Sequence, residues 1–365
     1  MTKVLFVRYK KSNGILDGGE QVAETHYHAL TQLVGDEQVD TIHVHHQDKK
    51  RSLLDYIRGV LYFPWGYHFG LTPKKVKQIC QCAQDYDIVF IDRSVFGIIA
   101  KKLKENGYKG KTITFFHNLE ALYFNEKLPK GNPFRRTIIH CADRNDAYAC
   151  QFSDRVIALN KRDDDLLFER YHRHADLLIP IVFRDNYNSD ASDDALTRKK
   201  PECLFIGSNF PPNNEGLLWF VQNVLPHVEI GFKVVGKDME KLKEEEPILH
   251  DIDVVGSVPD LTPYITEADI MILPIFKGSG MKVKTCESLM FGKNILGTDE
   301  AFEGYDADYD RIGGKCNTAE EFIGKLNAFI ASPRPRFNVY SRLLFLERYS
   351  ESTVVERLKK ILFED

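Results

Sequence analysis

The order of the short apolar runs constrains the fold more than any other feature of this sequence. In the first half, Lys3–Arg8, Thr41–His45, Ile88–Asp92, Thr112–Phe116, Arg155–Ala158 and Leu177–Ile179 read as strands separated by helical patterns. In the second half, Glu202–Ile206, Phe232–Val235, Asp253–Val255, Asp269–Leu273 and Asn294–Leu296 repeat the scheme, with helical patterns such as Glu215–Val224 and Thr318–Ile330 between them. Strands alternating with helices build a parallel sheet with helices on both faces. The polar stretch Asn186–Lys200 has the Ser, Asp and Asn content of an exposed linker. Asn338–Phe363 reads as helical, with apolar positions at Leu343, Leu344, Val354, Val355, Leu358 and Leu362. The expected class is α/β: two doubly wound, Rossmann-like domains over 1–185 and 201–337, a linker at 186–200, and helices at 338–365 packing back across the domains.

Composition narrows the function. With 43% hydrophobic and 28% charged residues the 365-residue chain can bury sizeable cores, and its net charge of −4 argues against a general nucleic-acid binder. No apolar run approaches the ~20 residues of a spanning helix. Met1–Arg8 turns charged after four apolar residues and reads as a first strand, not a secretory signal. Seven cysteines without a C-x-x-C pair suit a reducing cytoplasm and disfavour a disulfide framework or structural zinc. His43, His45 and His46, with His26 and His28 nearby in sequence, lack a Cys or Asp at matching spacing, so no metal site is expected there.

Basic residues outnumber acidic ones in the first half and the reverse holds in the second. That is either chance variation between solvated surfaces or a first half that leans on anionic lipid. Leu53–Leu71 is rich in aromatics and glycine, and Lys74, Lys75 and Lys77 follow it. Two readings stay open: a packed helix and turn, or a loop that covers an acceptor or touches a bilayer. The second reading makes 53–77 a peripheral membrane contact at the inner face of the cell membrane.

In open α/β sheets ligands bind where strands end and helix N-termini begin. The loop after Asp269–Leu273 is the most informative of these. Pro274 stops the strand; Gly278 and Gly280 permit a sharp bend and a close backbone approach; a helix is expected from Met281 or Lys282 to a terminating Gly292. Lys282 and Lys284 in its first turn oppose the helix dipole by ~0.3–1 kcal/mol each. A phosphate held between the first-turn amides and the two ammonium groups would reverse that penalty. Glu287, one and a half turns on, could accept hydrogen bonds from vicinal ribose hydroxyls.

Gly278–Gly292, followed by Thr298 and Glu303-Gly304, resembles the donor site of family 4 retaining glycosyltransferases of the GT-B fold (glycosyl transferases group 1). Phe205-Ile206-Gly207-Ser208 with Pro212-Asn213-Asn214, Val234-Val235-Gly236 and Val254–Val258 are similar to strand ends of the family's donor domain. Gly18-Gly19 and Phe116-His117-Asn118-Leu119-Glu120 resemble its acceptor-side loops. The resemblance implies two domains facing across a cleft, with Gly18, Gly19, Gly207, Ser208, Asn209, Gly280, Met281, Lys282 and Lys284 around the donor diphosphate. It implies that Val258 and Glu287 bind the nucleoside, and that His117, Lys282 and Glu287 are the catalytic set. It departs from the family at Ser279, where relatives carry a Glu that contacts the donor sugar, and at Ser208 and Asn213, where many carry Arg and Lys.

The implied activity is metal-independent, retaining transfer of a sugar from a nucleoside diphosphate to an acceptor hydroxyl, in glycoconjugate or cell-surface polysaccharide synthesis. A UDP-sugar is favoured, a GDP-sugar comes next, and no further cofactor is expected. The acceptor would be a glycan, a lipid-linked sugar or a protein, at a cytoplasmic location. The alternatives are a nucleotide-sugar epimerase of the same architecture and a non-catalytic nucleotide-sugar-binding subunit.

Overall fold

The computed structural model describes residues 1–10, 18–45, 61–68, 70–188 and 198–364. The expected residues at 53–60 and Phe69, His46, and most of the polar stretch between 189 and 197 fall outside these. The chain divides into two compact units, Met1–Val182 with Glu351–Asp365, and Phe183–Ser350.

In the first unit six parallel strands lie in the order β2-β1-β3-β4-β5-β6: β1 Val4–Lys10, β2 Val39–His45, β3 Ile88–Ile91, β4 Lys111–Phe115, β5 Arg155–Ala158 and β6 Leu177–Leu178. Val4 to Val7 of β1 are wholly buried, as a strand covered on both faces requires. Around the sheet lie α1 Gly18–Val34, α2 Pro73–Cys82, α3 Gly97–Glu105, α4 Glu120–Lys127, α5 Arg135–Phe152 and α6 Lys161–Tyr171. Thr72 caps α2 ahead of Pro73, and Asn160 caps α6 by accepting the Asp163 N–H at 2.9 Å. Helix α5 is fixed through buried Asn145, which accepts from the Ile98 N–H and donates to the Gly66 carbonyl, both at 2.8 Å. Only glycine fits at 97, where a Cβ would stand 1.9 Å from the Asn145 carbonyl oxygen.

In the second unit six parallel strands run β12-β11-β10-β7-β8-β9, the doubly wound order in which the strand sequence reverses between β7 and β10. They are β7 Glu202–Ile206, β8 Gly231–Val235, β9 Asp253–Gly256, β10 Ile270–Leu273, β11 Asn294–Gly297 and β12 Gly313–Lys315. The helices are α7 Pro211–Asn223, α8 Met239–Glu245, α9 Thr262–Glu267, α10 Val283–Met290, α11 Tyr309–Ile312, α12 Ala319–Ala331 and α13 Val339–Leu344. Thr318 and Glu321 form a capping box at the start of α12.

One device recurs in both sheets. Asp87, Asp154, Asp176 and Asp269 each immediately precede a strand, and each accepts a backbone N–H at the start of the neighbouring strand. The donors are Lys3, Thr112, Val156 and Glu202, all at 2.8 Å. These bonds pin the register at the amino ends and leave the carboxyl ends to form loops.

The helical tail is interrupted. Helix α13 runs into a π-helical turn at Phe345–Tyr349, which brings both Phe345 and Tyr349 inward, and breaks at extended Ser350. Ser350 bridges Phe183, whose N–H donates to the Tyr349 carbonyl at 2.9 Å. Helix α14, Glu351–Phe363, then belongs to the first unit and packs on α1; Lys111 donates to the Leu362 carbonyl at 2.9 Å. Leu343, expected on the buried face, is exposed. No helix among the described residues is long and apolar enough to cross a membrane.

Candidate functional site

The second unit places its chemistry at the carboxyl ends of β7, β10 and β11. After β10 the chain bends at Gly278, with φ of +157°, and at Gly280, in the left-handed region at +60°. A Cβ at Gly278 would come within 2.9 Å of Lys282 Cε, so the missing side chain is what lets the lysine fold over the bend. Helix α10 starts at Val283, later than the start at Met281 or Lys282 expected, so Lys282 is its N-cap rather than a first-turn residue, and Gly292 ends the helix in the left-handed conformation at +58°. Lys282 Nζ donates to the Gly280 carbonyl at 2.9 Å and to Glu300 Oε1 at 2.6 Å. The pair is largely shielded from solvent.

Lys284, on the first turn of α10, donates to Asn213 Oδ1 at 2.7 Å and lies 4.8 Å from the centre of the Phe205 ring. Desolvation of its ammonium, then the charge of Lys282, push its pKa down to about 7. Glu287 faces inward on the same helix. Met281 is buried and Ser279 half-buried. Thr298 donates to the Ile275 carbonyl, Thr285 to the Ala301 carbonyl, and Tyr305 to the Lys282 carbonyl, which together fix the bend from beneath.

The Gly207–Asn209 loop stands at the end of β7 beside this bend, since Asn213 Nδ2 donates to the Ser208 carbonyl at 2.9 Å while its Oδ1 holds Lys284. The Gly207 and Asn209 amides are committed to the Val235 and Lys237 carbonyls. An anion would therefore meet exposed Ser208 in this loop rather than its neighbours. Val258 is half-buried in the loop after β9.

In the first unit Gly18 and Gly19 are not a loop: they open α1. His117 follows β4 and sits in a buried cluster that sequence reasoning missed. His26 Nδ1 lies 3.1 Å from Asp92 Oδ1, and His117 Nε2 lies 3.3 Å from Asp92 Oδ2. His26 and Asp92 are fully buried and His117 is 7% exposed. Burial pushes the Asp92 carboxyl up, but the two imidazoles outweigh it and hold the group below the usual carboxylate range. Burial lowers the His117 pKa against the pull of Asp92. The donor atoms of the three residues lie within 4.8 Å of one another, close enough for a divalent ion; one carboxylate oxygen pairs with His26, and the other meets His117 as an ion-pair contact outside hydrogen-bond geometry.

Sequence proximity groups His26 with His43, His45 and His46; in the structure it turns inward to Asp92 instead. The available signal was Asp92 itself, the first polar residue past the apolar strand Ile88–Ile91. Glu300, the partner of Lys282, carried no sequence signal beyond its place after β11.

Residues 200–330 match the family described as Glycosyl transferases group 1. No curated protein sequence matches the chain. Among solved structures, HepE from Anabaena in complex with UDP and glucose is 14% identical, with a TM-score of 0.65 over 100% of both chains. Sucrose-phosphate synthase from Thermosynechococcus elongatus is 12% identical, with a TM-score of 0.74 over 99% of this chain and 98% of its own. The lipopolysaccharide outer core galactosyltransferase WaaB is 13% identical, with a TM-score of 0.63 over 99% of each chain. The two sheets are those of the GT-B fold, and the match to the glycosyl transferases group 1 family lies in the second unit, over residues 200–330.

Proposed function

We propose that the chain moves a sugar from a nucleoside-diphosphate sugar to an acceptor hydroxyl, with retention and without a metal. The observation that carries this reading is the bend at Gly278 and Gly280 handing over to α10 with Lys282 and Lys284 at its tip. Breaking the anomeric bond puts negative charge on the departing diphosphate. Two ammonium groups and the first-turn amides supply preorganised positive charge for it, and loss of one such donor typically costs about 2.7–4 kcal/mol. Glu287 is assigned to the ribose hydroxyls and the Val258 backbone to the base. The Gly207–Asn209 loop, Met281, Gly18 and Gly19 are assigned to the diphosphate surroundings, and His117 to a sugar hydroxyl.

HepE was solved with UDP and with UDP-glucose, which supports a UDP-sugar ahead of a GDP-sugar here. The product would enter a glycoconjugate or cell-surface polysaccharide, on a glycan, lipid-linked or protein acceptor. Exposed Leu61, Tyr62 and Trp65, with Lys74, Lys75 and Lys77 a few residues on, support a peripheral contact with the inner face of an anionic membrane.

The test incubates the full chain with UDP- and GDP-sugars and candidate acceptors, with and without EDTA. Released nucleoside diphosphate and the anomeric configuration of the product are read. Transfer with retention that survives EDTA is expected. An epimerised sugar with no transfer, or nucleotide binding with no turnover, would replace this reading with one of its rivals.

A further inference from the structure

Asp92 binds two imidazoles in a space closed to water, and the consequences are chemical. An ionised carboxylate only accepts hydrogen bonds, so each imidazole nitrogen facing it must carry a proton. His26 Nδ1 and His117 Nε2 are those nitrogens. His26 Nε2 is buried with no hydrogen-bond partner, which is tolerable for a lone pair and costly for an N–H. His26 is thus the neutral ring protonated on Nδ1. His117 Nε2 is set differently: it stands 3.3 Å from Asp92 Oδ2 in an ion-pair contact outside hydrogen-bond geometry, where a nitrogen lone pair would face the carboxylate's own, so a neutral His117 carries its proton on Nε2 and keeps a lone pair on Nδ1. The rings are also fixed in place: Phe115 packs against His26 at 4.4 Å and against His117 at 4.9 Å between ring centres. Of the three residues only His117 reaches the surface at all. The other ionisable groups acting on it are Arg93 and His26, and Arg93 also acts on the buried Glu120.

We propose that Asp92 is a positioning residue: shared between His26 and His117, it locks His117 as the Nε2–H tautomer, so that Nδ1 can accept a hydrogen bond from a sugar hydroxyl. The catalytic half of this statement rests on the sugar-transfer reading; the tautomer half does not. A carboxylate that merely filled the core would be replaceable by any isostere of equal polarity. A tautomer lock is not, because the amide introduced by Asp92→Asn would offer one acceptor and one donor to two rings that both need an acceptor.

The test is nitrogen-15 NMR of the histidine rings in the full chain, with Asp92→Asn alongside. The wild type should show His117 protonated on Nε2, and Asp92→Asn should populate the other tautomer. Turnover of the variant should fall about 100-fold, as for a misplaced catalytic group, with nucleotide affinity unchanged. An unaltered His117 tautomer in Asp92→Asn overturns the proposal. So does one stoichiometric metal ion retained by the wild type and lost in the variant, since Asp92 would then be a ligand. If Asp92→Asn does not fold, His26→Gln decides: with Asp92 in place, His117 should keep its proton on Nε2, and loss of that preference overturns the lock. Absence of any sugar transfer by the wild type would defeat the functional reading while the NMR result stands on its own.

Discussion

Glu300 Oε1 lies 2.6 Å from Lys282 Nζ, so the lysine nearest the glycine bend is already ion-paired. On the proposed function, a diphosphate arriving at Lys282 would meet a carboxylate of its own sign. Glu300→Gln removes the competing charge and keeps the shape. Calorimetric titration with UDP should show affinity rising several-fold. Lys282→Ala should weaken UDP binding and lower turnover by about 10²–10³-fold. In the double variant the gain from Glu300→Gln should vanish. A Glu300→Gln gain that persists without Lys282 would place the competition elsewhere.

Lys284 predicts a pH dependence. Its pKa is depressed to about 7, and a diphosphate bound there, as proposed, would favour the charged form, so binding should take up a proton. Affinity should be highest below pH 7 and fall above it, by up to about tenfold per pH unit. The nucleotide's own phosphate titrates near pH 6, so the window from pH 7 to 9 isolates the lysine. Proton uptake measured in buffers of different ionisation enthalpy should disappear in Lys284→Met.

Asp269 predicts a loss of stability with no bearing on the chemistry. It is fully buried, accepts the Glu202 N–H, and meets Arg198 and Arg336 at 2.9 and 2.7 Å. Asp269→Ala strands the partly buried Arg336 and unpins the start of β7, and should cost about 3–5 kcal/mol by denaturant titration.

Asp146 gives a stability prediction of defined sign. Burial raises its carboxyl pKa well above the ordinary value, and the nearby Glu120, itself raised by burial, adds to the shift. The folded state therefore binds the proton more tightly than the unfolded chain. This group's contribution is fully present below its unfolded value near 4 and is lost as pH rises through its folded value. Asp146→Asn keeps an acceptor for the Ala121 N–H and removes the titration. Its melting temperature should exceed the wild type's at pH 8 and approach it at pH 4.

The strands and the bend at β10 could be read from sequence because both are local: apolar runs between turn residues, and glycines leading into a helix that ends at Gly292. What escaped depends on pairing across distance. Asp92 meets His26 from 66 positions away, and Glu300 reaches Lys282 from the next strand's loop. The break at Ser350 escaped for a similar reason, since helical periodicity continues through it and only its bridge to Phe183 stops the helix.

That bridge also sets how the polypeptide can be cut. Phe183 and Ser350 are the first and last residues of the second unit, and they are paired side by side. A gene fragment encoding 183–350 would begin and finish at one bridged pair, leaving no dangling arms, and would carry Lys282, Lys284, Glu287 and Glu300 together.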